Sequence, residues 1–379
     1  MSILRVAYVI NDAAFFVSHR LPLALEVIKR GGDVCLITGK NISRKIETDA
    51  IIRLKSEKIQ HYQCQFTQGF KNPFKEIYGL LQLIIYLRKF RPSTIHSATS
   101  KANLMSALAC NFLHSTMLIM SVSGMGTMFT GKVGLKKLLL RLIFKYLLKI
   151  SLKTLNFKII FQNKDDYKKL QSIIKFNDKN ATVISGSGVD TEKLKPITKK
   201  SKLKKVLLPS RMLYEKGIEE FVKASIILKE KNIACSCLLA GDTLSLNPSA
   251  ISKKTIDEWV SEGSIIYLGH QHDLNEMYRD IDIVCLPSWR EGFPKVLMEA
   301  ASLGLPVITT NVPGCRDAVI NNKTGIIVEV KNENQLANAI IKLINNPELS
   351  SKMGLSNRIL AEKEFDIKII VPKIVGLYN

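Results

Sequence analysis

Short apolar runs alternate with helical segments along this chain, and that alternation restricts its fold more than any other feature. Leu4–Ile10 is a compact apolar run suited to a buried parallel strand. Asn11–His19 reads as a loop. Arg20–Arg30 has helical periodicity and stops at Gly31-Gly32, and Asp33–Thr38 is the next strand. Strand, helix, strand in that order predicts a parallel sheet wound with helices. The pattern continues with helices near Phe74–Lys89, Ala102–Phe112, Leu135–Leu155 and Asp165–Ile174. Strands fall between them at Thr94–His96, Met117–Ser121, Lys158–Gln162 and Thr182–Ser185.

A polar, basic, proline-bearing stretch, Lys195–Lys205, then interrupts the series and reads as a linker. A second series begins at Val206–Ser210. It runs through strands at Cys235–Ala240, Ile265–Leu268, Ile283–Leu286, Pro306–Thr309 and Gly325–Val328. A chain of 379 residues, at roughly 100–200 per domain, has room for two. The expected division is a first domain over 1–194, a linker over 195–205 and a second domain over 206–365. An amphipathic segment, 366–379, is expected to pack back on the first. The fold class is α/β, with two Rossmann-like doubly wound domains. Open sheets of this type hold ligands at their strand C-termini, so the two domains are expected to face an interdomain cleft.

Charge narrows the partners. Lys and Arg number 55 against 33 Asp and Glu, a formal +22, and such a field draws anions: nucleic acid, anionic lipid or nucleotide phosphates. A codon bias toward Lys, Ile and Asn would also raise the basic count. No zinc finger, RNP-like aromatic strand or helix-turn-helix is recognisable, so nucleic acid is not the expected partner. The seven cysteines include no C-x-x-C and mostly sit in apolar runs, as buried free thiols of a reducing compartment do. Cys235-Ser-Cys237 has no Cys or His partner at ligand spacing, so no metal is expected. The apolar start Ile3–Ile10 is too short for a secretory signal. No apolar stretch reaches the roughly 18–20 residues that span a bilayer. The reading is a cytoplasmic protein.

Two segments of the second series carry chemistry. Ser288-Trp-Arg-Glu-Gly-Phe-Pro-Lys-Val-Leu-Met-Glu299 follows a strand, and its helix is expected from about Pro294 to Leu303. The unpaired N–H groups at that helix start suit a hydroxyl-rich or anionic ligand. Glu291 and Glu299 are eight positions apart, about 80° of helical rotation, so both can address one extended ligand. A carboxylate that accepts from two hydroxyls makes a ribose clamp; two solvated glutamates on a surface helix are the plainer alternative. Ser210-Arg-Met-Leu-Tyr-Glu-Lys-Gly217 places Arg211 and Lys216 after a strand end, a plausible diphosphate site. Two cations there would stabilise the charge of a departing nucleoside diphosphate without a metal.

The Arg-x4-Lys-Gly stretch, the Glu-Gly-Phe-Pro-x4-Glu stretch and the run Gly304–Thr310 followed by Gly314 resemble glycosyltransferase family 4. That resemblance implies the GT-B fold, retention of anomeric configuration and a nucleotide-sugar donor, UDP-linked by default, with no cofactor. It implies that Arg211 and Lys216 contact the donor diphosphate and that Glu299 holds the ribose. Glu291 would lie near the donor sugar, and the backbone at Phe293, Pro294 and Lys295 would contact hydroxyls or phosphate. Phe15–Pro22, His96–Lys101 and Val122–Gly126 resemble a branch that builds bacterial surface polysaccharide on undecaprenyl diphosphate, including N-acetylgalactosaminyl transfer to lipid-linked bacillosamine. The acceptor implied is a lipid-linked saccharide. Where many members carry a Gly-Gly loop after the first strand, this chain has Asn11-Asp-Ala-Ala14.

In the first domain, His96 ends a strand and by resemblance lies near the donor sugar; a satisfied core histidine fits the sequence equally. His19 and Arg20 begin a helix and read either as contacts to acceptor phosphate or as capping residues. Lys101, Ser123 and Gly124 are further acceptor candidates, and Asn163 a possible cleft residue. From Lys132 to Lys158, both included, there are eight Lys or Arg and no acid. Lys137, Arg141, Lys145, Lys149 and Lys153 recur every four residues and fan across about 160° of a helix. With Leu138, Leu139, Leu142 and Ile143 between them, they suit an anionic membrane surface; a core helix with a solvated basic face is the alternative. A glycosyltransferase peripheral on the inner face of the cell membrane is the reading that joins these signals. A GT-B nucleotide-sugar epimerase and a basic nucleic-acid-binding protein are the competing ones.

Overall fold

A computed structural model describes residues 3–39, 44–66, 72–113, 115–124, 134–197, 203–243, 247, 249–271 and 273–378, side chains at 44–46 and 136–137 excepted. Two compact units result: 1–184 with 371–379, and 185–370. The first contains β1 (Arg5–Ile10), α1 (Ala13–His19), α2 (Leu21–Lys29), β2 (Asp33–Thr38), α3 (Arg44–Ser56), β3 (Gln60–Gln63) and α4 (Pro73–Phe90). Next come β4 (Thr94–Ala98), α5 (Ser100–Cys110), β5 (Met117–Val122), α6 (Leu135–Leu152), β6 (Phe157–Phe161), α7 (Lys164–Ile174) and β7 (Ala181–Val183). Its seven strands order as β3-β2-β1-β4-β5-β6-β7, and every pairing is parallel.

The second unit starts with β8 (Lys204–Pro209), α8 (Ile218–Glu230), β9 (Cys235–Ala240), α9 (Lys253–Ser261), β10 (Ile266–Tyr267), α10 (Leu274–Met277) and β11 (Ile283–Leu286). It continues with α11 (Lys295–Ser302), β12 (Val307–Thr310), β13 (Gly325–Val328), α12 (Glu333–Asn345) and α13 (Pro347–Leu360); the last helix, α14 (Ile367–Val375), begins in this unit and its residues from Val371 belong to the first. The order is β10-β9-β8-β11-β12-β13, again parallel. Successive residues of a strand face opposite sides of the sheet. Leu207 and Val284 accordingly join one apolar layer, while Val206, Leu208, Ile283 and Cys285 join the other. Both faces are covered, as a parallel sheet requires.

Three sequence expectations change. The loop read at Asn11–His19 is mostly α1, stabilised from outside its own propensity. The Asp12 carboxylate accepts from Phe15 N at 2.7 Å, and Glu47 accepts from Ala13 N at 3.1 Å. The edge strand β3 escaped the reading because Gln-His-Tyr-Gln has no apolar face, and helix α3 because its buried stripe is narrow, Ala50 and Leu54, among charged residues. The division between units falls after Ile184, not at Lys195. Val189 bridges Asp366, Leu194 enters the second core, and the Arg358 guanidinium donates to the carbonyls of Thr191 and Leu194, each at 3.0 Å. The segment read as the first domain's end is therefore held by the second unit. At the other end, residues from Val371 onward belong to the first unit.

Candidate functional site

In the second unit the strand order reverses between β8 and β11, and at such a switch point the two following loops diverge and leave a crevice at the strand C-termini. The loop after β8 is Ser210–Gly217; the loop after β11 is Pro287–Pro294. Gly217 has φ +74°, and a Cβ there would collide with the carbonyl of Pro287, so only glycine lets these loops close on each other. Trp289 N donates to the carbonyl of Glu215 at 2.9 Å, and its Nε1 to Glu220 Oε1 at 3.0 Å.

This closure brings Lys216 onto Glu291 in an ion pair whose side chains are 15% and 12% exposed. Ser288, fully buried, donates from Oγ to the same carboxylate oxygen at 2.8 Å, and the Thr310 hydroxyl donates to the Ser288 carbonyl. Gly314, φ +80°, backs onto Gly292, where again no Cβ fits. Cys315 is buried there too. Burial, then the charge of Glu291, push its thiol up to about 12, with Lys216 opposing. Arg211 lies exposed at the mouth of the β8 loop.

Glu299 is buried on α11. Tyr278 donates to its Oε2 at 3.1 Å, and Lys295 Nζ stands 3.8 Å from Oε1. Burial, then the Glu299 charge, push the Tyr278 phenol well above its ordinary range, so it stays a donor. Pro294 is the N-cap of α11, and Glu291 lies in the loop before it, so the helical angle between the two glutamates does not apply. The Phe293 side chain packs edge-on against Phe365, 5.5 Å between ring centres. It anchors the loop and leaves the backbone at 293–295 as the part able to meet a ligand. Ser288, Tyr278 and Cys315 went unassigned, because nothing in their local sequence marks which partners the turn delivers to them.

The first unit treats its candidates differently. His96 is 1% exposed with both ring nitrogens engaged, Nδ1 with Tyr378 Oη at 2.6 Å and Nε2 with Ser121 Oγ at 2.8 Å. Burial, then nearby Arg20, hold it well below the usual imidazole range. It is a satisfied core histidine and offers no nitrogen to a sugar. Lys101 is likewise internal, paired with buried Glu76 at 2.6 Å, and ties α5 to α4 instead of reaching an acceptor. Asn163 caps α7, accepting from Asp166 N at 2.7 Å. His19, half-buried, stacks on Phe15 with ring centres 4.3 Å apart. Arg20 is 2% exposed, which removes the surface-capping reading. Ser123 and Gly124 are half-buried just past β5, and the rest of that glycine loop, 125–126, lies outside the described residues.

On α6, Lys145 and Lys149 are exposed beside exposed Leu138, Leu139, Leu142 and Ile143, with Arg141 half-buried; the Lys137 side chain lies outside the described residues. Among the described residues no helix is long and apolar enough to cross a membrane, and no group of three or more His, Cys, Asp or Glu could hold a metal ion.

Residues 189–358, nearly the whole second unit with both loops, match the family described as glycosyl transferases group 1. The chain is a glycosyltransferase. The transferase is 25% identical over 389 residues to N,N'-diacetylbacillosaminyl-diphospho-undecaprenol alpha-1,3-N-acetylgalactosaminyltransferase of Campylobacter jejuni, covering 99% of this chain and 98% of that one. It is 29% identical to the capsular polysaccharide biosynthesis glycosyltransferase CapM of Staphylococcus aureus over 81% of each chain. Among solved structures it superposes on Anabaena HepE in complex with UDP-glucose with a TM-score of 0.78, at 16% identity and 99% coverage of both chains, a likeness of fold. These relatives give the epimerase alternative no support.

Proposed function

We propose that the transferase moves a hexose or N-acetylhexosamine, with retention, from a UDP-sugar to a saccharide carried on undecaprenyl diphosphate. The observation that carries this reading is the switch-point constellation of the second unit. Lys216 and Glu291 are brought together, Arg211 stands at the loop mouth, and Glu299 is buried with one phenolic donor. Lys216 and Arg211 would take the diphosphate and stabilise its charge as the glycosidic bond to the donor breaks, without a metal. Glu299 would accept from ribose hydroxyls, and Glu291 would hold the sugar. The carbon left electron-poor is attacked by the acceptor hydroxyl from the face that the diphosphate vacates. The acceptor class rests on the name of the Campylobacter relative, and the donor base on the ligand of the Anabaena structure.

The acceptor's lipid places the enzyme at a membrane surface, and two helices of the first unit suit it. The exposed apolar residues of α6 are matched on α4 by Phe74, Ile77, Leu81 and Ile85. Between the helices is an apolar groove of about 320 Å³ lined by Leu80, Leu104, Leu108, Leu140 and Leu147. Lys145 and Lys149, exposed on the same helix, carry the charge that anionic headgroups seek. The test is transfer from UDP-N-acetylgalactosamine, UDP-N-acetylglucosamine, UDP-galactose and UDP-glucose to undecaprenyl-diphosphate-linked monosaccharides, followed by mass spectrometry. A mass gain of one sugar with release of UDP is expected. Binding of UDP with no transfer to any lipid-linked acceptor overturns the acceptor assignment.

A further inference from the structure

The first unit has a switch point of its own, between β1 and β4. Arg20 follows α1, the helix that leaves the C-terminal end of β1, and is the N-cap of α2. It is 98% removed from solvent, yet among the described residues the only hydrogen bond of its side chain runs from Nη1 to the carbonyl of His19 at 3.1 Å, and its buried Nε has no partner. No carboxylate pairs with it among the described residues. The Phe15 ring centre lies 6.0 Å from its guanidinium carbon, and the polar groups that act on its charge are the hydroxyls of Tyr8 and Tyr378 and the ring of His96. Those three are joined to one another, Tyr8 Oη to Tyr378 Oη at 3.1 Å and Tyr378 Oη to His96 at 2.6 Å, and all are neutral. The first turn of α2 adds no acid and no side-chain cap.

A buried cation normally carries a counter-ion, because water no longer solvates its charge. Here the counter-charge is missing from the protein itself, at the position where open α/β sheets bind ligands. We infer that Arg20 is the anchor of a second oxyanion site, which takes a phosphoryl group. An arginine fork with an unused Nε matches two phosphoryl oxygens. The source of that group rests on the proposed function: it is the diphosphate linking saccharide to polyprenol. The site itself does not depend on that reading.

The inference makes opposite demands on stability and binding. Arg20→Met keeps the side chain's length and removes the unpaired charge. Pyrophosphate, titrated into Arg211→Ala/Lys216→Ala protein so that the donor loops do not compete for it, reports on Arg20. Three results are expected. Pyrophosphate at tenfold its dissociation constant raises Tm by about 2–5 °C in that background. Adding Arg20→Met abolishes the rise while leaving Tm in anion-free buffer unchanged or higher. Arg20→Lys, which keeps charge without the fork, retains a smaller rise. Farnesyl diphosphate distinguishes the source: a larger shift than pyrophosphate, also lost in Arg20→Met, assigns a lipid-borne group, and an equal one assigns a free anion to the same site. Absence of any shift before Arg20 is changed, or an equal shift with and without it, overturns the inference. So does a fall in Tm on Arg20→Met with the pyrophosphate shift intact, the mark of a purely structural arginine. UDP binding by wild-type and single Arg20→Met protein, measured calorimetrically, keeps the outcomes separate: no UDP binding by the wild type sinks the donor reading alone, and equal UDP binding by the two shows that Arg20 serves a site apart from the donor's.

Discussion

A lysine that is already paired has to change partners before it can hold a phosphate. Lys216 spends the unliganded state on Glu291, and Ser288 holds that carboxylate from the other side. On the proposed donor reading, a diphosphate arriving at the loop mouth would bring two negative charges against one, draw the ammonium away and leave Glu291 on Ser288. Glu291→Gln removes the competitor for Lys216 and a negative charge beside the phosphates. UDP affinity is therefore expected to rise about tenfold, while turnover falls by about 10²–10³ as the sugar loses its carboxylate contact. Calorimetry with UDP and initial rates with the UDP-sugar separate the two effects; weaker UDP binding in Glu291→Gln would show that the pair builds the site instead of guarding it. Lys216→Ala is expected to lose both binding and turnover, because it also leaves Glu291 without its cation.

At the scale of elements, α6 carries the membrane reading. Each basic residue near an anionic surface contributes about 1 kcal/mol, so replacing Arg141, Lys145 and Lys149 by Gln should weaken binding to phosphatidylglycerol vesicles about 100-fold and leave binding to neutral vesicles unchanged. Equal binding by the triple variant would return this helix to a solvated basic face. Elements of this kind were legible in the sequence because their periodicity is their own: α6, α7, β2, β9 and β11 fall within a few residues of where periodicity put them. So were the two loops of the second unit, where Gly217 of one packs against Pro287 of the other. What the sequence withheld was delivered by distant residues. α1 is made by Glu47, β3 by the sheet edge it joins, and the burial of His96 by a tyrosine at the far end of the chain. A histidine ending a strand looks the same in sequence whether it faces a ligand or a phenol.

Over the whole molecule, the burial of that histidine also sets a pH dependence. His96 is held neutral in the folded first unit, while the unfolded chain protonates it below about pH 6.5. The unfolded state then binds the extra proton, so stability is full above that pH and falls as pH drops, by up to about 1.4 kcal/mol per pH unit. His61, lowered by burial with Glu47 opposing, acts in the same direction. His96→Gln should therefore flatten the slope of denaturation free energy between pH 6.5 and 5 by about one proton without abolishing it; an unchanged slope would mean that the ring is protonated in the folded unit. The partner of that ring, Tyr378, has a further bearing on how the chain becomes a protein. Residues 371–378 complete the first unit, and Thr94 and His96 in its central strand β4 wait for them. On the ribosome the N-terminal unit cannot close when its own strands emerge, because the piece that completes it is made after the second unit. The second unit, continuous in sequence, can be finished first, reversing the usual N-to-C order of domain folding. A nascent chain arrested before Val371 should therefore protect 185–370 from protease while 3–184 remains open to it.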